Sequence, residues 1–166
     1  PYARTGMTSR PVEQVLEELG TLAEFGYREV VLAGIRLGSY DDRGACLPQL
    51  IRRAADVDGI SRIRLSSIEP WEVDDTLLEA MQHPKVCRHL HIPLQSGDDG
   101  VLLRMNRPYD SSQYLRTAEK VRKAIPGIGI TTDVIAGFPG EDEEAFLNTC
   151  RVIEATDFSQ IGRAHV

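Results

Sequence analysis

Two histidines, a glutamine and an aspartate stand where a strand pattern leaves its non-aliphatic side. In His89–Gln95 (HLHIPLQ), Leu90, Ile92 and Leu94 share one face of an extended chain, and His89, His91, Pro93 and Gln95 share the other. In Gly129–Phe138 (GITTDVIAGF), Ile130, Val134 and Ala136 share a face, with Thr131, Asp133 and Gly137 opposite. A strand packed under helices turns its aliphatic face toward them. The imidazoles, the amide and the carboxylate then point to the interior. Each buried polar group needs a partner, so this interior suits a ligand-filled lumen better than a packed core.

The loops after four strand patterns are small or polar: Gly34-Ile35-Arg36-Leu37-Gly38-Ser39, Ser66-Ser67-Ile68-Glu69-Pro70, Gln95-Ser96-Gly97 and Gly137-Phe138-Pro139-Gly140-Glu141. Any one of them is ordinary turn chemistry. Four at corresponding positions favour a shared site, because glycine lets backbone approach a ligand closely. Ligands of parallel α/β folds lie at the strands' C-terminal ends.

Other constellations are weaker. Cys46, Cys87 and Cys150 are widely spaced, which excludes a disulfide framework and gives no metal site by spacing. Cys150 falls on a stripe with Phe146 and Ile153 and reads as a core thiol; Cys46 reads as a loop residue. Cys87 alternates with His89 and His91, but histidines two apart on a strand are expected to splay. Arg104, Arg107 and the Arg62/Arg64 pair read first as a solvated or ion-paired face, and second as contacts to a carboxylate or phosphate. There is no phosphate-binding loop, no Gly-x-Gly-x-x-Gly fingerprint and no Gly-x-Ser-x-Gly elbow.

The elements that position these residues alternate. Helical spacing runs through Val12, Val15, Leu16, Leu19, Leu22 and Ala23, with Pro11 as first helical residue and Gly26 as the stop. Strands are predicted at 28–35, 62–69, 89–95 and 129–138, and helices at 47–57, 73–82, 98–105, 111–124 and 142–155. Strands separated by helices imply a parallel sheet. The fold class is α/β, a partial (β/α) TIM-like barrel or an open doubly wound sheet. The chain has 166 residues, 42% hydrophobic and 27% charged, in the range of an ordinary globular domain. No apolar run is long enough for a membrane span, and Pro1–Arg10 lacks the apolar core of a signal peptide. Cysteine usage suits a reducing cytosol. A net charge of −6 argues against strong nucleic-acid binding by this segment alone. Without an initiator methionine, the sequence is expected to begin inside a longer protein.

Taken together, the segments resemble a known family. Pro1-Tyr2-Ala3-Arg4, Val31-Leu32-Ala33-Gly34-Ile35, Ser66-Ser67-Ile68-Glu69-Pro70, His89-Leu90-His91-Ile92-Pro93-Leu94-Gln95-Ser96-Gly97, Leu103-Arg104-Met105-Asn106-Arg107 and Thr132-Asp133-Val134-Ile135-Ala136-Gly137-Phe138-Pro139-Gly140-Glu141 are similar in wording, order and spacing to the methylthiotransferases among radical S-adenosylmethionine enzymes. Ser67-Ile68-Glu69-Pro70 and His89-Leu90-His91-Ile92-Pro93 look most like the branch acting on N6-threonylcarbamoyladenosine in tRNA. The isopentenyladenosine branch and the ribosomal-protein aspartate branch stay open. Thr5-Gly6-Met7 departs from the family's basic wording.

The resemblance implies a radical-SAM barrel that binds S-adenosylmethionine across its strand ends. A [4Fe–4S] cluster is expected on a Cys-x-x-x-Cys-x-x-Cys motif upstream of Pro1, and a second cluster in another domain. A 5′-deoxyadenosyl radical would open the way to sulfur insertion at C2 of the modified adenine. It also implies site roles. Gly34 admits the cofactor's methionyl end; Glu69, Gln95 and Asp133 hydrogen-bond its amino group or ribose; Gly137 lies along the adenine; Arg104 holds a carboxylate or phosphate. No residue is assigned as a general acid or base. Expected partners are tRNA and an electron donor such as flavodoxin or ferredoxin, in the cytoplasm and away from membranes.

Residues 1–160 are expected to be the barrel fragment. Residues 161–166 (IGRAHV) break the expected strand and look like the in-frame translation of a sequencing adapter, a tail to leave out of the fold. Two rivals stand beside this reading. A Schiff-base lyase would need a strand lysine, but Lys85, Lys120 and Lys123 lie outside the predicted strands. The other is a catalytically silent fragment.

Overall fold

The computed structural model describes the backbone of residues 8–165, with side chains as far as residue 162. The Pro1–Arg4 and Thr5–Met7 segments lie outside the described residues. Helix α1 (Val12–Glu24) leads into β1 (Glu29–Leu32), a short hairpin of β2 (Asp41–Asp42) and β3 (Ala45–Cys46), α2 (Leu47–Ala55), β4 (Arg62–Leu65), α3 (Asp75–Met81), β5 (His89–His91), α4 (Asp99–Arg104), α5 (Ser111–Ala124), β6 (Gly129–Ala136), α6 (Glu143–Thr156) and β7 (Gln160–His165).

The parallel strands run side by side in the order β1-β4-β5-β6-β7. β1 pairs with β4 from Glu29↔Arg62 to Leu32↔Leu65, and β5 pairs with β6 from His89↔Gly129 to His91↔Thr131. A bridge between Ile63 and Val86 joins the two halves, together with Cys87 N–H to Ile63 O at 2.9 Å and Ile68 N–H to His91 O at 3.0 Å. One face of this sheet is the core. Val30, Leu32, Ile63, Leu65, Leu90, Ile92, Ile130 and Val134 are buried there with Ile51, Leu77, Tyr114 and Val152 from the helices. The opposite face carries the polar residues.

Helix boundaries follow their caps. α1 begins one residue later than predicted: Pro11 is its N-cap, and Val12 N–H donates to the Asp42 carboxylate at 2.8 Å. It ends where Gly26 (φ 89°) and Tyr27 donate back to Ala23 O and Leu22 O, the paired bonds of a left-handed C-terminal stop. Asp74, Asp98, Asp110 and Asp142 each accept an N–H from the first turn of α3, α4, α5 and α6. Three of these caps close strand-end loops, so those loops are pinned where they re-enter the scaffold.

Several expectations are corrected. The third strand is regular only over His89–His91. Pro93 has no N–H to give, Leu94 N–H turns to the Thr132 hydroxyl at 2.8 Å, and Gln95 takes a positive φ of 63°. Pairing resumes beyond them, with Gln95 N–H to Asp133 O and Ile135 N–H to Gln95 O, both 2.9 Å. Cys46 is not a free loop residue: it closes the hairpin and is the N-cap of α2. α6 buries Ala145, Thr149, Val152 and Thr156. Cys150 is half-buried and Phe146 is 46% exposed, so that stripe is not the core face. Ile161 does not break a strand: the backbone of Gln160–His165 pairs in parallel with Thr131–Ala136.

Candidate functional site

The polar face is built from one side chain of every second residue on neighbouring strands. At its β1–β4 end, Glu29 receives Arg62 Nε at 2.6 Å and Arg64 Nε at 2.5 Å. The Arg64 hydrogen bond, ahead of the other causes, holds the Glu29 carboxyl below its ordinary range. At the β5–β6 end, His89 Nε2 and His91 Nδ1 both reach the Thr131 hydroxyl, at 3.0 and 2.9 Å. His91 Nε2 meets Asp133 Oδ2 at 3.2 Å. The two histidines therefore converge on one threonine instead of splaying. Burial, then the charge of Arg64, keeps the His89 pKa below its usual value.

The predicted site residues fall at the C-terminal ends of adjacent strands. Gly34 follows β1, and Ser66 N–H donates to Leu32 O at 2.9 Å across that end. Glu69 follows β4, Gln95 follows β5, and Asp133 lies on β6 beside Gln95. Glu69 Oε1 stands 3.9 Å from Arg107 Nη1, while burial, outweighing Arg107, raises its pKa. Gly137 (φ 80°) ends β6, with its N–H on Glu141 Oε2 at 2.5 Å. Arg104 sits apart from that row. It closes α4 and donates to Gly140 O at 2.9 Å, clamping the last loop.

Several positioning residues were not singled out by the sequence. Glu72 accepts from Ser39 Oγ at 2.6 Å and faces Arg36 Nη2 at 3.4 Å, tying the loop after β1 to the loop after β4. Its side chain is 7% exposed, and a Cβ on Gly38 would lie 2.6 Å from Glu72 Cβ. Gly38 therefore serves a close approach between loops. Thr149 on α6 accepts Gly97 N–H at 2.9 Å and meets Ser96 Oγ at 3.2 Å. Neither partner has a local signal, since each acts across more than thirty residues of chain. Arg107, expected on a solvated or ion-paired face, stands 3.9 Å from the Glu69 carboxylate.

Four buried polar atoms near these loops have no hydrogen-bond partner: Ser66 Oγ, Glu69 Oε2, Arg107 Nε and Glu141 Oε1. Buried polar atoms are ordinarily paired. Unpaired donors and acceptors of both signs suit a ligand with an amino group, a carboxylate and hydroxyls, as in S-adenosylmethionine. An iron–sulfur cluster does not fit the described residues. Cys46, Cys87 and Cys150 are free, and no group of three or more His, Cys, Asp or Glu comes together there. A cavity of about 670 Å³ lies elsewhere. It lies beside β1 under α1 and includes Gly34 but neither Glu69, Gln95 nor Asp133. Among the described residues no helix is long and apolar enough to cross a membrane.

The family model of the Radical SAM superfamily matches residues 1–153. The tRNA-2-methylthio-N(6)-dimethylallyladenosine synthase of Thermoanaerobacter sp. (strain X514) is 42% identical over 162 residues, covering 95% of this chain and 34% of that protein. The threonylcarbamoyladenosine tRNA methylthiotransferase MtaB of Chlamydia pneumoniae is also 42% identical over 162 residues, covering 97% of this chain and 38% of that protein. The chain thus spans little more than a third of the length of these relatives. Among solved structures, Streptococcus suis SuiB bound to S-adenosylmethionine matches with a TM-score of 0.66 at 11% identity, over 96% of this chain and 34% of that one. The cobalamin-dependent S-adenosylmethionine radical enzyme OxsB with aqua-cobalamin matches at 0.65 and 13%, over 87% and 22%. At such identities the likeness is one of fold.

Proposed function

This chain belongs to the Radical SAM superfamily, and we propose that it is part of the catalytic barrel of a tRNA methylthiotransferase. The observation that carries the reading is Glu69 and Gln95 in the loops after β4 and β5 with Asp133 on β6 beside Gln95, together with buried polar atoms without partners in these loops. In this reading Gln95 and Asp133 hydrogen-bond the ribose or amino group of S-adenosylmethionine. Glu69 and Arg107 face its charged end, Gly34 admits the methionyl backbone, and Gly137 flanks the adenine. Arg104 acts on the loop through Gly140. The superfamily's reductive [4Fe–4S] cluster supplies the electron that cleaves the sulfonium when bound. Its cysteines, and those of a second cluster, are assigned to parts of the protein outside residues 1–160. Residues 161–166 are assigned to a non-native tail.

The finer assignment is N6-threonylcarbamoyladenosine as the substrate nucleoside. It rests on the wording of Ser67-Ile68-Glu69-Pro70 and His89-Leu90-His91-Ile92-Pro93. Relatives named for dimethylallyladenosine are as similar as those named for threonylcarbamoyladenosine, which supports the isopentenyladenosine branch as a second reading. A cytoplasmic site of action and a flavodoxin- or ferredoxin-type electron donor complete the proposal. Nucleoside mass spectrometry of tRNA from a strain lacking the gene tests it. Loss of the methylthio group from threonylcarbamoyladenosine, restored by the intact gene, is expected. Loss from the isopentenyl nucleoside would move the assignment to the second branch. Full methylthiolation of both would overturn it.

A further inference from the structure

The chain His89–Thr131–His91–Asp133 fixes where its own protons sit. Thr131 has one hydroxyl proton but faces two ring nitrogens, at 3.0 and 2.9 Å. It can donate to only one of them, so at least one of these two ring nitrogens carries a proton. His91 Nε2 faces a carboxylate oxygen at 3.2 Å. A bare Nε2 there would set a lone pair against a negative charge, so Nε2 carries a proton. With His91 neutral, Nδ1 is bare and accepts the Thr131 proton. Thr131 then accepts from His89 Nε2–H, and His89 Nδ1 is bare as well. That nitrogen is buried without a partner. The arrangement leaves an orphaned acceptor, the more tolerable kind of orphan, where the opposite direction would leave an orphaned N–H.

We propose that His91 is a positioning residue: oriented by Thr131 and His89, it donates through Nε2 to Asp133 and holds that carboxylate in place as an acceptor at the mouth of the site. The side-chain exposures agree with this order, 20% for His91 and 57% for Asp133. The inner member is shielded and the outer one is free to meet a ligand hydroxyl or ammonium. Among the described residues, Arg64 from β4, the charged neighbour of His89, is already paired with Glu29 and lies beside Cys87. No cation among these competes with His91 for Asp133. The ligand half of this proposal rests on the cofactor reading above; the proton arrangement does not.

Two measurements separate those halves. Long-range ¹H–¹⁵N spectra of the labelled protein are expected to show His89 and His91 each protonated at Nε2. A bare Nε2 on His91 would overturn the proposal. S-adenosylhomocysteine is then titrated into the cluster-loaded holoenzyme by calorimetry. His91→Leu is expected to weaken binding about tenfold, and His91→Gln, whose amide still donates, to restore most of it. In an Asp133→Asn background His91→Leu should add little, as for residues acting through one contact. Independent, additive losses would overturn positioning. So would a loss in Asp133→Asn with none in His91→Leu. Unchanged affinity in every variant would sink the cofactor reading while leaving the proton arrangement standing.

Discussion

Gln95 shows how much one side chain can be asked to do. It is placed at the strand end by its backbone, bonded both ways to β6, yet it holds a left-handed φ that costs a non-glycine residue about 1–3 kcal/mol. Such strain in a mouth residue is explained if the side chain, rather than the turn, is needed there. Gln95→Gly should therefore keep stability within about 1 kcal/mol of wild type, since relief of strain offsets the looser unfolded chain. It should still weaken S-adenosylhomocysteine binding to the holoenzyme; unchanged binding would make Gln95 a turn residue only. Glu69 carries the same tension in electrostatic form. Burial raises its pKa, so the folded state binds this proton more tightly than the unfolded one. The charged form then costs stability above the folded pKa, and the cost fades as pH falls through it. Glu69→Gln is expected to raise the melting temperature at pH 7.5 and to lose that advantage near pH 4; a lower melting temperature at pH 7.5 would show that the Arg107 contact outweighs burial. The polarity of these residues was legible from strand alternation alone. Their partners were not: Thr131, Glu72 and Arg107 act across the chain, and no local pattern encodes which distant group they meet.

At the scale of elements, the site depends on loops clamped to helices. The turn after Gln95 lies flat on α6. A Cβ on Gly97 would stand 2.6 Å from Thr149 Cα and 2.9 Å from Asn148 O. Gly97→Ala must push the helix away, and a loss of about 1–3 kcal/mol in chemical unfolding is expected; no loss would mean that α6 yields freely. On the other side, the fully buried Tyr114 of α5 donates to Ile92 O at 2.7 Å, and Tyr109 to Leu94 O at 2.9 Å. These hydroxyls serve carbonyls that the Pro93 interruption leaves outside the regular ladder. Burial drives both phenol pKa values upward, so they remain donors at any ordinary pH. Tyr114→Phe should cost about 1–3 kcal/mol, because Ile92 O is left buried without that donor. Alternation and helical spacing gave the order of the main strands and helices. They missed the 41–46 hairpin, whose two-residue strands carry too short a pattern to read. They also misplaced the buried face of α6, where small and hydroxyl residues pack inward against Gly97 and Ser96, and Phe146 and Leu147 point outward. Hydrophobicity is a poor guide where a close backbone approach requires small side chains.

Among the described residues, the main sheet has one aliphatic face under helices and one polar face. That division follows from strand alternation, and it concentrates charge where a core would otherwise form. Along the row Glu29 pairs with Arg62 and Arg64, and His89, His91, Thr131 and Asp133 form a second chain of contacts. Apart from His89 Nδ1, the buried atoms that remain unsatisfied belong to residues in or beside the loops that follow the strands. The central claim is that this end of the sheet binds a sulfonium nucleoside. The most direct test is calorimetric titration of S-adenosylmethionine into the cluster-loaded holoenzyme, comparing wild type with Gln95→Ala and Asp133→Ala. Binding at least about tenfold weaker in each variant is expected, in line with the loss of a buried hydrogen bond to a ligand. Wild-type affinity in both, with the fold intact, would place the ligand elsewhere and contradict the account.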